Sequence, residues 1–234
     1  MANPHQHVSR LVRTLTQWLT VPALLGILVG PSIGHAEWYV GSDLGGVFSH
    51  NFTNIEGTGT ALGVPASGTR FNDLKTTPGI SLGLKGGYFF ESLHWLGVEG
   101  NIQASFPKIK SQAFNGTGPL LTINASVTEG TAQVYVPSLN LVARYPGEKI
   151  QPYVGAGPAV AIIKTFDAGS TSAKAGVNVM AGLRYFLNKE VAFFTEYQYL
   201  KTMFTSDHAL PPTLGVQGDY SASHLLFGVS VHRK

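Results

Sequence analysis

The stretch Lys174 to Lys201, KAGVNVMAGLRYFLNKEVAFFTEYQYLK, predicts two amphipathic β-strands joined by a tight turn at residues 187–190. Apolar residues from Val177 to Tyr185 alternate with small or polar ones, which is the period of two of a strand. The same alternation on the return strand places Arg184 and Glu196 on one face of the hairpin. A hairpin with one charged face and one apolar face suits a lipid bilayer if the apolar face points outward.

The composition favours a membrane protein that crosses the bilayer as strands. Charged residues make up 12% of the chain, against roughly 25% in an average soluble domain. After the N-terminal region, the sequence has no run of about 18 to 20 apolar residues that could form a transmembrane helix. Strands are the remaining way to satisfy backbone hydrogen bonds inside lipid.

Residues 1–36 have the features of a cleavable signal peptide. Arg10 and Arg13 precede a short apolar segment from Trp18 to Gly30, and small residues lead to a cleavage site after Ala36. An N-terminal membrane anchor is the alternative, but the segment is short and prolines interrupt it. We therefore predict a signal peptide at 1–36 and one domain at 37–234.

The charge balance argues against nucleic acid as a partner. The chain carries 16 Lys and Arg against 13 Asp and Glu, a formal net charge of +3. Removal of Arg10 and Arg13 with the signal peptide leaves 14 basic and 13 acidic residues. This balance provides no basic excess for a phosphate backbone. The absence of cysteine suits an oxidising compartment.

Six further segments show the same alternation, which gives eight predicted strands with the hairpin at 174–201. They lie at 38–48, 78–90, 96–105, 138–145, 151–164 and 224–232. The connections alternate between long polar segments, such as 49–76 and 107–130, and tight turns. This layout predicts an all-β fold, an eight-stranded antiparallel up-and-down transmembrane β-barrel.

Aromatic residues on the apolar faces fall near the two ends of the predicted strands. The group at the short-turn end is Trp38, Tyr88, Tyr145, Tyr185 and Phe193, and the group toward the long loops is Phe48, Phe106, Tyr135 and Tyr199. Two such bands are typical of the two interfaces of a bilayer.

Five segments carry a family resemblance: EWYVGSDLGG at 37–46, QPYVGAG at 151–157, AGLRYF at 181–186, TEYQY at 195–199 and HLLFGVSV at 224–231. With them the chain resembles the small outer-membrane β-barrel family of Gram-negative bacteria, the OmpA-barrel and OmpX-like proteins. The resemblance implies a barrel of about eight strands in the bacterial outer membrane. The chain departs from the family at its end, where Arg233 and Lys234 stand in place of a terminal aromatic residue.

The polar faces of the predicted strands place six charged residues inside the barrel as a structural network. They are Asp43, Lys85, Glu99, Arg144, Arg184 and Glu196. Three acids and three bases can offset the cost of their burial when they are paired and hydrogen-bonded. Because side chains fill a barrel of this size, we expect a plugged polar lumen. The alternative is a gated path for water or small ions, in which the pairs exchange partners.

These features predict a non-enzymatic outer-membrane protein that supports the envelope or displays its long loops for surface interaction. A small porin-like channel is the alternative. A lipid A-modifying hydrolase is less favoured, because His224 and Ser230 share the inward face whereas such enzymes act at the lipid face. A soluble lipocalin-like barrel with its apolar faces inside is the fallback. No His or Cys pair has the spacing of a tight metal site, so we predict no catalytic residue, cofactor or metal.

Outer-membrane lipid and lipopolysaccharide are the expected partners. Lys164 and Lys201 lie at the long-loop end, at strand positions that the alternation turns outward, where lysine can reach anionic headgroups. A solvated rim is the alternative for these two residues. A surface ligand would meet the loops at 49–76 and 107–130, because the lipid-facing strands are covered. We expect no nucleic-acid partner and a monomer.

Overall fold

The fold is all-β in the part of the chain that the structure describes. The structure is a computed structural model and describes residues 36–61, 64–118, 122–164, 171–210 and 214–233. The predicted signal peptide lies outside these residues, apart from Ala36. No helix in these ranges is long and apolar enough to cross a membrane.

The described ranges contain strands of very different lengths. They are β1 (Glu37–Ala61), β2 (Val64–Pro65), β3 (Arg70–Phe71), β4 (Leu74–Phe89), β5 (Leu96–Ile109), β6 (Gln112–Thr117), β7 (Thr122–Val127), β8 (Gly130–Thr131), β9 (Gln133–Arg144), β10 (Ile150–Lys164), β11 (Thr171–Phe186), β12 (Val191–Leu210) and β13 (Leu214–Arg233).

Eight long strands of the described chain form a closed antiparallel ring. They follow one another around it in the order β1, β4, β5, β9, β10, β11, β12 and β13, and β13 pairs with β1. The closing pair runs from Trp38 opposite Arg233 to Gly59 opposite Leu214. Closure removes the free sheet edges, so the ring pairs its own backbone groups. The predicted fold class, an eight-stranded up-and-down barrel, is confirmed.

The barrel turns its apolar faces outward. Leu84 and Leu183 are 53% and 41% exposed, whereas Arg184 and Glu196 are each 1% exposed. Large apolar side chains cover the outer surface of all eight long strands. Such a wall is stable against lipid but would present an extensive apolar area to water. The inverted alternation of the 174–201 hairpin is therefore confirmed, and the soluble barrel with an apolar interior is wrong.

Tight connections join the long strands at one end of the barrel, the short-turn end. They lie at 90–95 between β4 and β5, at 145–149 between β9 and β10, and at 187–190 between β11 and β12. In the last of these, the side chain of Asn188 accepts hydrogen bonds from the backbone amides of Glu190 and Val191 at 2.9 and 2.8 Å. The asparagine thereby satisfies two donors that the turn leaves unpaired.

The opposite end, the long-loop end, contains more β-structure than the sequence predicts. β1 continues to Ala61 and β4 begins at Leu74, so most of the predicted loop at 49–76 is strand. The predicted loop at 107–130 contains the end of β5 and the β6–β7 hairpin, and β3 pairs with both β1 and β6. The prediction of two irregular loops is wrong. The segments are rich in Asn, Thr and Gly, which is typical of loops. They also contain three buried aromatic residues whose packing stabilises these strands, namely Phe52, Phe71 and Phe114.

A bulge lets β1 continue beyond the regular part of the barrel. The pairing of β1 with β13 shifts register between Thr53 and Glu56. Asn54 in this shift has a φ of 52°, in the left-handed region that asparagine tolerates. Its side-chain amide donates a hydrogen bond to Asp219 on β13 at 2.8 Å, which fixes the bulge to the neighbouring strand.

The barrel interior has an apolar half and a charged half. Toward the long-loop end lies an apolar cluster that includes Val47, Ile163, Leu200 and Phe204. The charged side chains lie nearer the short-turn end, around a smaller group of apolar and aromatic residues that contains Met180. The sequence predicts a lumen that is polar along its whole length, and the structure instead has an apolar half. Strand parity misses the apolar half because segments such as 159–163 are apolar on both faces.

We expect Leu84→Arg to lower the free energy of unfolding in lipid vesicles by about 2–4 kcal/mol, because it places a charge on the lipid face near mid-barrel. Leu93→Arg, in the turn between β4 and β5, is the matched control and should cost about 0–1 kcal/mol. Denaturant unfolding in vesicles, followed by tryptophan fluorescence, measures both. Equal costs at the two positions would contradict the assigned lipid face.

Candidate functional site in the barrel interior

The structure buries the six charged residues that the sequence predicts to face the lumen. Asp43, Lys85, Glu99, Arg144, Arg184 and Glu196 are between 0% and 7% exposed. Each lies at an inward position of its strand, where the alternation of the barrel wall directs it away from lipid. The structure does not join all six into one network, because they fall into three separate groups.

Four of these residues form the central cluster, namely Lys85, Glu99, Arg184 and Glu196. Lys85 Nζ donates to both carboxylate oxygens of Glu196 at 2.7 and 2.6 Å, and it lies 3.7 Å from Glu99 Oε1. Arg184 Nη2 lies 3.4 Å from Glu99 Oε2. Two cations therefore face two carboxylates. Two of these three ion pairs connect β4 with β12 and β5 with β11, which are not neighbours in the ring, and the third joins the neighbouring strands β4 and β5.

Two tyrosines donate further hydrogen bonds within the central cluster, while Glu99 Oε1 and the Nε and Nη1 atoms of Arg184 have no hydrogen-bond partner among the described residues. Tyr39 donates to Glu99 Oε2 and Tyr153 donates to Glu196 Oε2, both at 2.5 Å. The guanidinium of Arg184 lies 4.2 Å from the ring centre of Tyr39 and 4.4 Å from that of Tyr153. These distances are within the range of cation–π attraction, so the two aromatic rings also stabilise the buried positive charge of Arg184.

Glycines make room for these two rings. Gly87 lies opposite Tyr39, and Gly182 lies opposite Tyr153 in the strand pairing. A side chain at either glycine would overlap the tyrosine ring beside it. The glycines of the inward faces are therefore part of the packing of the central cluster, because they let large rings lie flat against the barrel wall.

A second group, the short-turn cluster, consists of Glu37, Arg144 and His232. Arg144 binds the carboxylate of Glu37 through two nitrogens at 2.8 and 2.7 Å, the geometry that makes Arg–carboxylate pairs strong. Arg144 Nε also donates to the backbone carbonyl of His94 at 3.0 Å. The cluster thereby ties the start of β1 to the end of β9 and to the turn before β5.

His232 extends the short-turn cluster into a hydrogen-bonded chain. Its Nδ1 lies 2.8 Å from Glu37 Oε1, and its Nε2 lies 2.8 Å from Ser230 Oγ. A carboxylate can only accept, so Nδ1 carries the proton, and in the neutral ring Nε2 accepts from the serine hydroxyl. Serine, histidine and carboxylate thus stand in the order of a hydrolytic relay.

Closely packed groups surround this hydrogen-bonded chain. Ser230 is 1% exposed, so its hydroxyl is buried. The carboxylate of Glu37 is occupied by both nitrogens of Arg144. The imidazole stacks on Tyr39, with ring centres 5.0 Å apart. Ser230 and His224 both lie inward, as the sequence predicts, and the hydrogen bond of Ser230 is to His232.

The remaining predicted charge, Asp43, belongs to a third group that we call the Asp43 row. Asp43 on β1 lies opposite Gly83 on β4, and Gly83 lies opposite Gln103 on β5. Gln103 Nε2 donates to Asp43 Oδ1 at 3.2 Å and to Ser81 Oγ at 2.8 Å. Within the described residues, Asp43 forms no ion pair.

Sequence reasoning missed Glu37 and His232 as partners of Arg144. Glu37 has the same parity as Tyr39 and Asp43, so its inward direction was readable from the sequence. The contact between Glu37 and His232 was not readable, because it depends on the pairing of the first strand with the last.

The structure places Lys164 and Lys201 on the outer surface toward the long-loop end. Both side chains are exposed, Lys164 on β10 and Lys201 on β12. The ammonium group of Lys164 lies 5.6 Å from the ring centre of Tyr135, one of the predicted interfacial aromatics. These two lysines are separate from the interior groups and face the surroundings of the barrel.

The described residues thus form a closed β-barrel with a lipid-facing wall and buried charges, which defines the class of transmembrane outer-membrane barrels. The profile described as "Outer membrane protein beta-barrel domain" matches residues 33–232. The chain belongs to this family and is a protein of the Gram-negative outer membrane. A comparison with curated protein sequences finds no significant match.

Solved structures of the same architecture are similar to this chain. OprG from Pseudomonas aeruginosa is 18% identical, with 85% of this chain and 96% of that chain covered and a TM-score of 0.57. Neisserial surface protein A is 16% identical, with 83% and 96% covered and a TM-score of 0.46. The barrel domain of Pseudomonas aeruginosa OprF is 14% identical, with 84% and 97% covered and a TM-score of 0.39. At these identities, the likeness to OprG concerns the fold alone.

We expect Arg144→Met to lower the free energy of unfolding by about 3–5 kcal/mol, because it leaves the buried carboxylate of Glu37 uncompensated. The double variant with Glu37→Gln should lose much less than the sum of the two single variants. Arg70→Met is the control, since Arg70 forms an exposed pair with Glu56 at 3.7 Å and should cost about 0–1 kcal/mol. Denaturant titration measures the cycle, and additive losses would argue against a coupled buried pair.

Proposed function

We propose that this protein is a non-enzymatic outer-membrane barrel with a closed lumen, which supports the envelope and presents its long-loop end for surface interaction. The observation that carries the proposal is the central cluster. Both of its cations contact carboxylates, both carboxylates accept a tyrosine hydroxyl, and all four charged side chains are at most 1% exposed. Such an arrangement fills the cross-section of a small barrel.

The apolar cluster supports the same proposal from the other half of the barrel. Phe52 packs against Phe204 and Tyr220, with ring centres 5.0 and 4.9 Å apart. These side chains come from β1, β12 and β13 and meet inside the barrel. A hydrated ion would have to displace packed aromatic rings before reaching the charged groups, which costs free energy without a compensating contact.

The strands at the long-loop end supply the surface for interaction in this proposal. β3 pairs with β6, and Phe71 stacks on Phe114 with ring centres 4.6 Å apart. Asn72 binds the backbone of β6 through its amide and its carbonyl, at 2.8 and 2.6 Å. A paired platform of this kind presents a defined surface to a ligand, whereas a flexible loop would lose entropy on binding. The proposal includes a monomeric barrel without a nucleic-acid partner.

Planar-bilayer recording tests the closed lumen. We expect the purified wild-type protein to give no steady single-channel steps, because the central cluster and the apolar cluster both block the lumen. Steps of uniform amplitude in the wild type would contradict the proposal. A porin of known conductance reconstituted by the same procedure serves as the positive control.

A small channel is the second candidate, and the position of Lys85 favours it. Lys85 lies between two carboxylates, with Glu196 at 2.6 Å and Glu99 at 3.7 Å. A shift of its ammonium group toward Glu99 would exchange one carboxylate partner for the other. Lys85 would be paired with a carboxylate both before and after the shift. Steady conductance in wild type that changes in Lys85→Met would support this candidate over the closed barrel.

We also propose that Lys164 and Lys201 contact phosphate groups of lipopolysaccharide. Both lysines are exposed on the outward face near the long-loop end, and Tyr135 and Tyr199 lie at the same level in the predicted interfacial band. A basic side chain near an anionic lipid surface contributes about 1 kcal/mol. The long lysine stem allows the ammonium group to reach headgroups while its methylene groups remain against apolar surface.

The double variant Lys164→Gln/Lys201→Gln should bind lipopolysaccharide about 30-fold more weakly, since each lysine contributes about 1 kcal/mol. The matched control is Lys149→Gln/Lys189→Gln, which removes two lysines from the short-turn end. Titration of lipopolysaccharide into the barrel in neutral detergent measures the affinity. An equal loss in both double variants would indicate a general charge effect and would contradict the assigned contact.

A further inference from the structure

The buried charges of the barrel do not balance. Among the residues that the structure describes, four carboxylates are buried with three cationic side chains; these are Glu37, Asp43, Glu99 and Glu196, with Lys85, Arg144 and Arg184. The histidines buried with them, His224 and His232, are neutral in the ordinary form of the ring at neutral pH. With all four carboxylates ionised, the buried residues of the described chain therefore carry one negative charge in excess.

The excess charge is that of Asp43. Glu37 is paired with Arg144, Glu99 with Arg184 and Lys85, and Glu196 with Lys85. In the described part of the chain, the carboxylate of Asp43 receives a single hydrogen bond, from the neutral amide of Gln103. The ammonium group of Lys85 attracts Asp43 but is bound to Glu196 and forms no ion pair with Asp43. Asp43 is 6% exposed, and a buried ionised carboxylate without an ion pair is unfavourable.

Unpartnered oxygens converge beside Asp43. Its Oδ2 and the Oε1 of Gln103 have no hydrogen-bond partner within the described protein. Both lie against Gly83, where an added side-chain carbon would overlap the two Asp43 oxygens and Gln103 Oε1. The glycine thus leaves a small space bounded by three oxygens. Asn101, the next inward residue on β5, also has an unpartnered side-chain oxygen.

We propose that this space is a binding site for one small monovalent cation of the Na⁺ class, held by Asp43 and Gln103 above Gly83. Carboxylate and amide oxygens are the ligands of hard cations. A single positive charge brings the interior to neutrality, whereas a divalent ion would reverse the imbalance. Water could satisfy the oxygens but would leave the charge of Asp43 uncompensated.

The strand pairing explains why this site forms at Gly83. Asp43, Gly83 and Gln103 occupy one row across three adjacent strands, so the side chains on either side lean over the glycine between them. The second hydrogen bond of Gln103, to Ser81 at 2.8 Å, orients its amide with the NH₂ group committed and the oxygen free. This proposal does not depend on the closed lumen, because a cation can occupy the row in an open or a closed barrel.

Cation-dependent unfolding tests the site. The purified protein is heated in neutral detergent at pH 8 with NaCl, or with N-methyl-D-glucamine chloride at equal ionic strength, so that screening is matched. We expect the unfolding midpoint to rise by about 2–4 °C in saturating Na⁺, since a ligand that binds only the folded state stabilises it. In Asp43→Asn the midpoint should no longer depend on Na⁺. Asp219→Asn, which removes a carboxylate outside the interior, should keep the full dependence.

Several results would overturn the proposal. These are an equal wild-type midpoint in both salts, a Na⁺ dependence that persists in Asp43→Asn, and a larger rise in CaCl₂ at the same ionic strength. A protonated Asp43 or a site that holds only water would give the first result. The comparison of the two salts in the wild type needs no variant and is therefore independent of any misfolded substitution.

Discussion

Backbone amide and carbonyl groups have no water to bind inside a bilayer, and this constraint determines the rest of the structure. The eight long strands meet it by closing into a ring, with β13 paired to β1. Once the ring is closed, the alternation of a strand leaves only two environments for side chains, lipid and lumen. Leu84 and Arg184 therefore point in opposite directions, and a polar side chain on the inward face has only the lumen in which to find a partner.

The interior meets this demand by pairing charges across the barrel. Lys85 reaches Glu196 and Arg184 reaches Glu99 between strands that are not neighbours. Tyr39 and Tyr153 each donate a hydrogen bond to one of these carboxylates. In the closed barrel that we propose, the same contacts that compensate buried charge also occupy the space through which a solute would pass. A rearrangement that opened such a lumen would need to supply new partners for each ion.

The side of the barrel wall to which a side chain points was easier to predict from the sequence than the residues that it contacts. The inward direction of all six charged residues followed from the period of two, and so did the outward direction of Lys164 and Lys201. The partners did not follow, because parity tells which way Arg144 points but not that Glu37 and His232 arrive beside it from the two ends of the chain. The segments 49–76 and 107–130 were misjudged for a related reason. Their polar composition resembles loop, whereas the packing of Phe71 on Phe114 depends on a long-range pairing of β3 with β6.

The amino-acid sequence by itself determined the fold class, the lipid-facing surface and the location in the outer membrane, because a repeated alternation with apolar outward faces is a local property of each strand. Only the tertiary structure decided which ions pair, that the long-loop half of the lumen is apolar and that Asp43 forms no ion pair with the described residues. These features depend on which strands face each other across the ring and on the register between them, and side chains far apart in the sequence acquire their electrostatic surroundings only when the ring closes.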